Sequence, residues 1–180
     1  MKIEEIFEVI DYEHKDIQWD GDVAYFTIND QKYVATVRAA TKNELDTLKP
    51  FFGESHTLNA GNIDFSAILP DGSETQDLTK TAGFSAGKVI ATVVQIAVTL
   101  KNRHNFDILL AIAKKQHSPS NYETRVHVYA RVCEKMAKRL GLTDQEITNN
   151  ANYTVFAVFS RKLLDGMNKV KQHMDNVKNV

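Results

Sequence analysis

The sequence predicts an α+β fold: a single domain in which one mixed β-sheet is flanked by helices. Three observations predict it. Two alternating runs rich in β-branched and aromatic residues, VAYFTIN (23–29) and KYVATVRAA (32–40), lie side by side as a hairpin. The second half then alternates strand and helix patterns, the order that builds β-α-β units. Finally, 180 residues with 43% hydrophobic and 25% charged content suit one soluble globular core.

The elements follow in order. In KIEEIFEVI, Ile3, Ile6, Phe7 and Ile10 repeat at helical spacing, so residues 1–19 read as a short amphipathic helix and its lead-in. The hairpin comes next, with Asp30 and Gln31 as its turn. TKNELDTLKPFF predicts a helix capped by Thr41, with Glu44 closing a capping box and Pro50 ending it. NIDFSAILP gives a third strand, 62–69, stopped by Pro70 and the Asp71-Gly72 turn. The polar stretch GSETQDLTK then reads as loop. From Ser85, a plausible cap, Val89, Ile90, Val93, Val94, Ile96, Ala97 and Leu100 mark a helix over 86–101 with a broad apolar face.

FDILLAIAKK, a nearly continuous apolar run, suits a central strand over 106–113 buried on both faces. Residues 121–140 form the strongest helix, with Ser120 and Glu123 as a capping box and Gly141 just past its end. Its apolar stripe is Val126, Tyr129, Cys133, Met136, Ala137 and Leu140. YTVFAVFS (153–160) is the last strand, and 163–180 a polar tail helix.

Several function classes lose support on composition. No apolar run reaches the ~18 residues of a membrane span. The acidic start MKIEEIFEVIDYEH has no apolar signal core, which argues against secretion. The one cysteine, Cys133, excludes an internal disulfide framework and reads as a buried structural thiol. The six histidines fall at no metal-ligand spacing, so no metal site is expected. His127 reads as a surface residue. There is no G-x-S-x-G elbow, and no phosphate loop of the G-x-x-x-x-G-K-[ST] kind.

Two features remain. The net charge of −1 is unevenly spread. Residues 1–90 carry 8 basic against 16 acidic side chains, and residues 91–180 carry 14 against 7. Such a split either steers an anionic partner to one face or lets the two halves attract each other. Arg125, Arg131, Lys135 and Arg139 place basic residues along the long helix, either as a solvated face or as a surface for a partner protein or nucleic acid. The other feature is the loop KTAGFSAGK. Lys80, Gly83, Ser85, Ala86, Gly87 and Lys88 offer small residues and cations at a helix N-terminus, where unpaired N–H groups can cradle phosphate; small residues also simply start helices.

The order strand 62–69, loop 80–87, helix 86–101, strand 106–113, helix 121–140 and strand 153–160 resembles the core of the GNAT acyltransferase fold. In that family an (Arg/Gln)-x-x-Gly-x-(Gly/Ala) loop holds the pyrophosphate of coenzyme A. Lys80, Gly83 and Ser85 stand at its positions here. Asn121 and Tyr129 stand where the family has its N-x-x-A-x-x-x-Y helix, with one more residue between them. The resemblance implies acyl transfer from acetyl-CoA to an amine, with Tyr129 as general acid and Asp64 as proton relay.

Residues 79–162 are also similar to a group of tailed-bacteriophage proteins with a T-G-x-G-x-A loop and an S-R-V-K-L-Y-D-R helix, matched by Thr124-Arg125-Val126-His127-Val128-Tyr129-Ala130-Arg131. That similarity implies a phage origin, with a place in the host cytoplasm or the virion. The alternative to an enzyme is therefore a non-catalytic phage accessory protein, a virion component or host-protein inhibitor. It would bind its partner through Arg125, Arg131, Lys135 and Arg139, with the gap between strands 62–69 and 106–113 filled.

Overall fold

The first hairpin shows how local chemistry sets register. In the computed structural model, which describes residues 13–46, 48–49, 58–76, 85–114, 119–149, 153–160 and 162–163, strands β2 (Val23–Ile28) and β3 (Gln31–Ala39) pair from Ile28↔Gln31 to Val23↔Thr36. The two turn residues are Asn29 and Asp30, both with positive φ (49° and 62°). The turn thus lies one residue earlier than the Asp30-Gln31 expectation. Asn and Asp tolerate the left-handed conformation that a tight two-residue hairpin requires, and Gln31 is free to pair.

Six further strands complete the sheet: β1 (Gln18–Asp20), β4 (Ala60–Ile68), β5 (Glu74–Thr75), β6 (Ile108–Lys114), β7 (Thr143–Asn149) and β8 (Tyr153–Phe159). The order is β1-β2-β3-β4-β6-β8-β7, with β5 attached to β4. Every pairing is antiparallel except β4 with β6, which is parallel. The fold class is α+β, as expected. The short polar strands β1, β5 and β7 escaped the sequence reading because none carries an apolar alternation.

Three helices stand among the described residues: α1 (Lys42–Asp46), α2 (Ala86–His104) and α3 (Pro119–Leu140). The N-terminal helix expected over 3–10 and nearly all of the tail helix lie outside the described residues. Ser120 is inside the first turn of α3, because Pro119 takes the first helical position, where its missing N–H costs no bond. At the other end Gly141 has φ 64°. Leu142 N–H bonds the Ala137 carbonyl and Gly141 N–H the Lys138 carbonyl, the double closure expected of a glycine past a helix end. In α2, Ser85 occupies the cap position without a side-chain capping bond, and Asn105 closes the helix in the left-handed region.

Both long helices cover one face of the sheet. Ile63 and Phe65 of β4, Leu109 and Ala111 of β6, and Phe156 and Val158 of β8 share a core with Val89, Val93 and Leu100 of α2 and Val132, Cys133 and Met136 of α3. Cys133 is fully buried, and burial pushes its thiol pKa up. The alternate residues Ile108, Leu110, Val155, Ala157 and Phe159 face the other way against Leu48, Leu45 and Leu163. Strand β6 is thus buried on both faces, each Leu or Ile contributing about 1.5–3 kcal/mol.

Gly61 lies in the parallel pair. A Cβ there would come 2.7 Å from both Phe106 and Val37, closer than carbon atoms pack. Only glycine leaves room for both side chains against β4.

The capping box of α1 forms as the sequence predicts. Thr41 N–H donates to Glu44 Oε2 at 2.8 Å, and Glu44 N–H to Thr41 Oγ1 at 3.4 Å. Glu44 also accepts both guanidinium nitrogens of Arg38, at 2.8 and 2.7 Å, and Asn62 Nδ2 at 3.0 Å. The Arg38 bonds, aided by Thr41, hold its carboxyl down to about 2 from an ordinary 4.5. A carboxyl depressed on folding stabilises above its unfolded value, and that stability is lost as the pH falls through its folded value. Arg38 is 41% exposed, so screening reduces the contribution to about 1–2 kcal/mol. The stability difference between the native chain and Glu44→Gln, measured by urea unfolding, is expected to be about 1–2 kcal/mol at neutral pH and to vanish toward about pH 2. A difference that does not change with pH would contradict this.

Candidate functional site

Strand β4 has two edges, and the candidate site lies along the second. Strand β3 pairs with the first edge over eight residues, Gly61 to Ile68. On the second, β6 pairs only with Ala60–Ile63, while β5 pairs with Ala67 and Ile68. Strand β6 continues along β8 as far as Lys114. Beyond Ile63 the two parallel strands therefore part, and a gap opens beside Asp64, Phe65 and Ser66.

Local turn chemistry brings β5 into this gap. After Ile68 the chain reverses through Pro70-Asp71-Gly72. Gly72 N–H bonds the Leu69 carbonyl, and Leu69 N–H bonds the Ser73 carbonyl. Asp71 Oδ1 accepts from Ser73 N–H and Ser73 Oγ at 2.9 and 2.6 Å, and these bonds hold its carboxyl below the usual range. Gly72 supplies the positive φ of 83°. The reversal lays Glu74-Thr75 back on β4 and delivers Gln76 to the gap.

Gln76 forms a bridge there. Its Nε2 donates to Asp64 Oδ1 at 2.8 Å, and its Oε1 accepts from Arg125 Nη1 at 3.3 Å. Asp64 points to the face opposite the long helices, because its neighbours Ile63 and Phe65 point toward them. Arg125 comes from α3, on the helix face. The amide thus joins the two faces through the opening between β4 and β6. Arg125 is only 5% exposed, a burial that a guanidinium accepts only when hydrogen-bonded.

Tyr129 stands one turn further along α3. It is buried, with its ring edge-on to Phe65 at a centroid distance of 5.3 Å. Burial pushes its hydroxyl pKa up, and the Asp64 carboxylate adds to the shift while Arg125 opposes it. Such a phenol stays neutral and gives up its proton reluctantly. Its neighbour Tyr122 shares a 2.6 Å hydrogen bond with Thr154 Oγ1 of β8.

The fold therefore brings Asp64 and Tyr129, far apart in sequence, to one gap. The proposed phosphate loop is only partly within the described residues: Lys80 and Gly83 fall outside them. In the first turn of α2, Ala86 and Gly87 are buried, while Ser85 and Lys88 are half-buried. In the described part these residues begin α2, with Ser85 at the cap position.

The basic stripe of α3 also differs from expectation. Arg131 and Arg139 are exposed and Lys135 half-buried, but Arg125 turns inward to Gln76 and leaves the face. Spacing alone did not show which side of α3 Arg125 takes. Arg131 pairs with Glu134 at 2.6 Å. Burial lowers the Lys135 ammonium pKa, with Glu134 opposing and Arg131 adding to the shift. His127 is exposed, as predicted.

Sequence reasoning missed Gln76. The Asp71-Gly72 turn after an apolar strand was the available signal, since such a turn returns the chain along the strand it follows. Among the described residues no cluster of His, Cys, Asp and Glu could hold a metal ion. No described helix is long and apolar enough to cross a membrane. No protein-family model, curated protein or solved structure matches the chain.

The bridge carries a stability test. Gln76→Ala is expected to lower the unfolding free energy in urea by about 1–3 kcal/mol, because it removes a contact from a buried guanidinium and from Asp64 together. A change below about 0.5 kcal/mol, the range of ordinary surface substitutions, would show that the bridge carries no weight.

Proposed function

We propose that the chain is a phage-encoded accessory protein on an acetyltransferase-like (GNAT) scaffold, acting by binding a host or phage protein and not by acyl transfer. The strand order β4-β6-β8-β7, with a parallel β4–β6 pair that parts after four residues, supports the scaffold. The observation that carries the non-catalytic reading is the filled gap. An acyl-CoA thioester would lie along β4 beyond Ile63, and β5, Gln76 and Arg125 occupy that place. Partner binding falls to the basic face of α3, through Arg131, Lys135 and Arg139, with an acidic protein surface as its complement. The protein would act in the host cytoplasm or as part of the virion.

One observation favours the enzymatic reading: the Asp64 carboxylate is close enough for its charge to act on the Tyr129 hydroxyl. In that reading Asp64 would relay the proton of the acceptor amine and Tyr129 would protonate the departing thiolate. Lys80, Gly83, Ser85, Ala86, Gly87 and Lys88 would hold the pyrophosphate.

Two experiments separate the readings. Carrying Arg131→Glu and Lys135→Glu together, the tagged chain is expected to lose a partner that the native chain recovers from infected-cell lysate after nuclease treatment. Equal recovery by both would remove the α3 face from the proposal, and loss of the partner on nuclease treatment alone would point to nucleic acid. Acetyl-CoA is expected to leave the melting curve unchanged. Stabilisation approaching about 2.7 kcal/mol at a 100-fold excess over Kd would instead establish the enzymatic reading.

A further inference from the structure

We propose that Lys135, between Arg131 and Arg139 on α3, is a modification site: an anionic acyl donor, either an acyl phosphate or an acyl-CoA, transfers its acyl group to the side-chain amine. The charge lost in this way weakens docking at the face. That consequence rests on α3 being the docking face, whereas the acyl transfer itself does not.

The helix sets the surroundings of that amine. Arg131, Lys135 and Arg139 recur every fourth residue, which puts an arginine one turn away on each side of Lys135. From 131 to 139 the chain has four basic residues and one acidic, Glu134. Arg131 Nη1 holds Glu134 Oε2 at 2.6 Å, so the single carboxylate of this stretch is engaged by a cation. Such a run draws anions from solution.

Acyl transfer to an amine needs an electron pair on nitrogen, which an ordinary ammonium lacks at neutral pH. Lys135 is half-buried, unlike Arg131, Lys138 and Arg139, which are exposed. Burial makes its ammonium give up the proton more readily; Glu134 opposes this and Arg131 adds to it. In the reaction the Nζ electron pair attacks the acyl carbonyl carbon and an N–C bond forms. The bond from that carbon to the phosphate oxygen, or to the coenzyme sulfur, breaks, and the leaving group keeps its electrons. The surplus proton on nitrogen passes to water, and the product is a neutral amide.

Lys138 supplies the comparison within the same helix. It lies three positions away and next to Arg139, so attraction of an anionic donor serves both amines. Of the two, Lys135 alone joins that attraction to partial burial. A cluster that merely gathered the donor would modify both lysines alike, and selection of Lys135 is the signature of its placement.

The test incubates the full chain with acetyl phosphate, and separately with acetyl-CoA, and follows each lysine by mass spectrometry of chymotryptic peptides. Lys135 is expected to be acetylated about threefold faster than Lys138, or more, by one donor or both, which identifies the donor class. The two rates should converge in the urea-unfolded chain. Arg131→Gln with Arg139→Gln, both at exposed positions, should lower the Lys135 rate about threefold more with that donor than with uncharged p-nitrophenyl acetate. Equal rates at Lys135 and Lys138 with both donors, a preference that survives unfolding, or a loss in the double variant that is the same for charged and uncharged donors would each overturn the site. None of these outcomes touches α3 docking, because no partner enters the measurement. The regulatory consequence is read by lysate capture, where Lys135→Gln should lose the partner and Lys135→Arg keep it; equal recovery by the two would remove the regulation.

Discussion

The architecture depends on a short parallel contact. Four residues of β4 pair with four of β6, Ala60–Ile63 against Ile108–Ala111, and this ladder joins two antiparallel half-sheets. One half is β1 to β4 with β5; the other is β6, β8 and β7. A parallel pair cannot be joined by a tight turn, so the chain must cross over between the halves, and α2 makes that crossing. The apolar faces of α2 and α3 then seal the joint from one side. The brevity of the ladder creates the gap at Asp64, and the fill of that gap decides between the functional readings.

The fill is polar, which limits what it can be. Burying the Arg125 guanidinium beside an apolar core is costly unless its donors are satisfied. Gln76 satisfies one of them and passes its other end to Asp64. The neutral amide separates the two charges while bonding to both. Such a link is worth keeping where the two faces of a sheet must hold together across an opening. In an acyltransferase the same volume would have to admit a thioester arm, so one arrangement excludes the other unless Gln76 withdraws.

Much of the fold was legible in the sequence for identifiable reasons. The long helices declared themselves through apolar spacing, β6 through an unbroken apolar run, and the α1 capping box through Thr41 and Glu44. The strands that were missed have polar sequences and owe their conformation to neighbours: TDQEITN is a strand because β8 lies beside it. The site was legible only in part. Asp64 and Tyr129 could be named from a resemblance, but Gln76 lies in a stretch that read as loop, and Arg125 fits a basic stripe equally well whether it turns outward or inward. Among the described residues the charge asymmetry resolves into contact between the halves where Arg103 and His104 engage Asp22 and hold its carboxyl below the usual range, His104 first and Arg103 next.

The claim that the chain's own residues close the gap is tested most directly by following the backbone amide resonances of residues 64–68 and 74–76 while coenzyme A is added. A closed gap predicts that none of these resonances moves. Progressive shifts at 64–68, accompanied by loss of the β5 pairing at Glu74 and Thr75, would contradict it and show that the cofactor displaces β5 and Gln76.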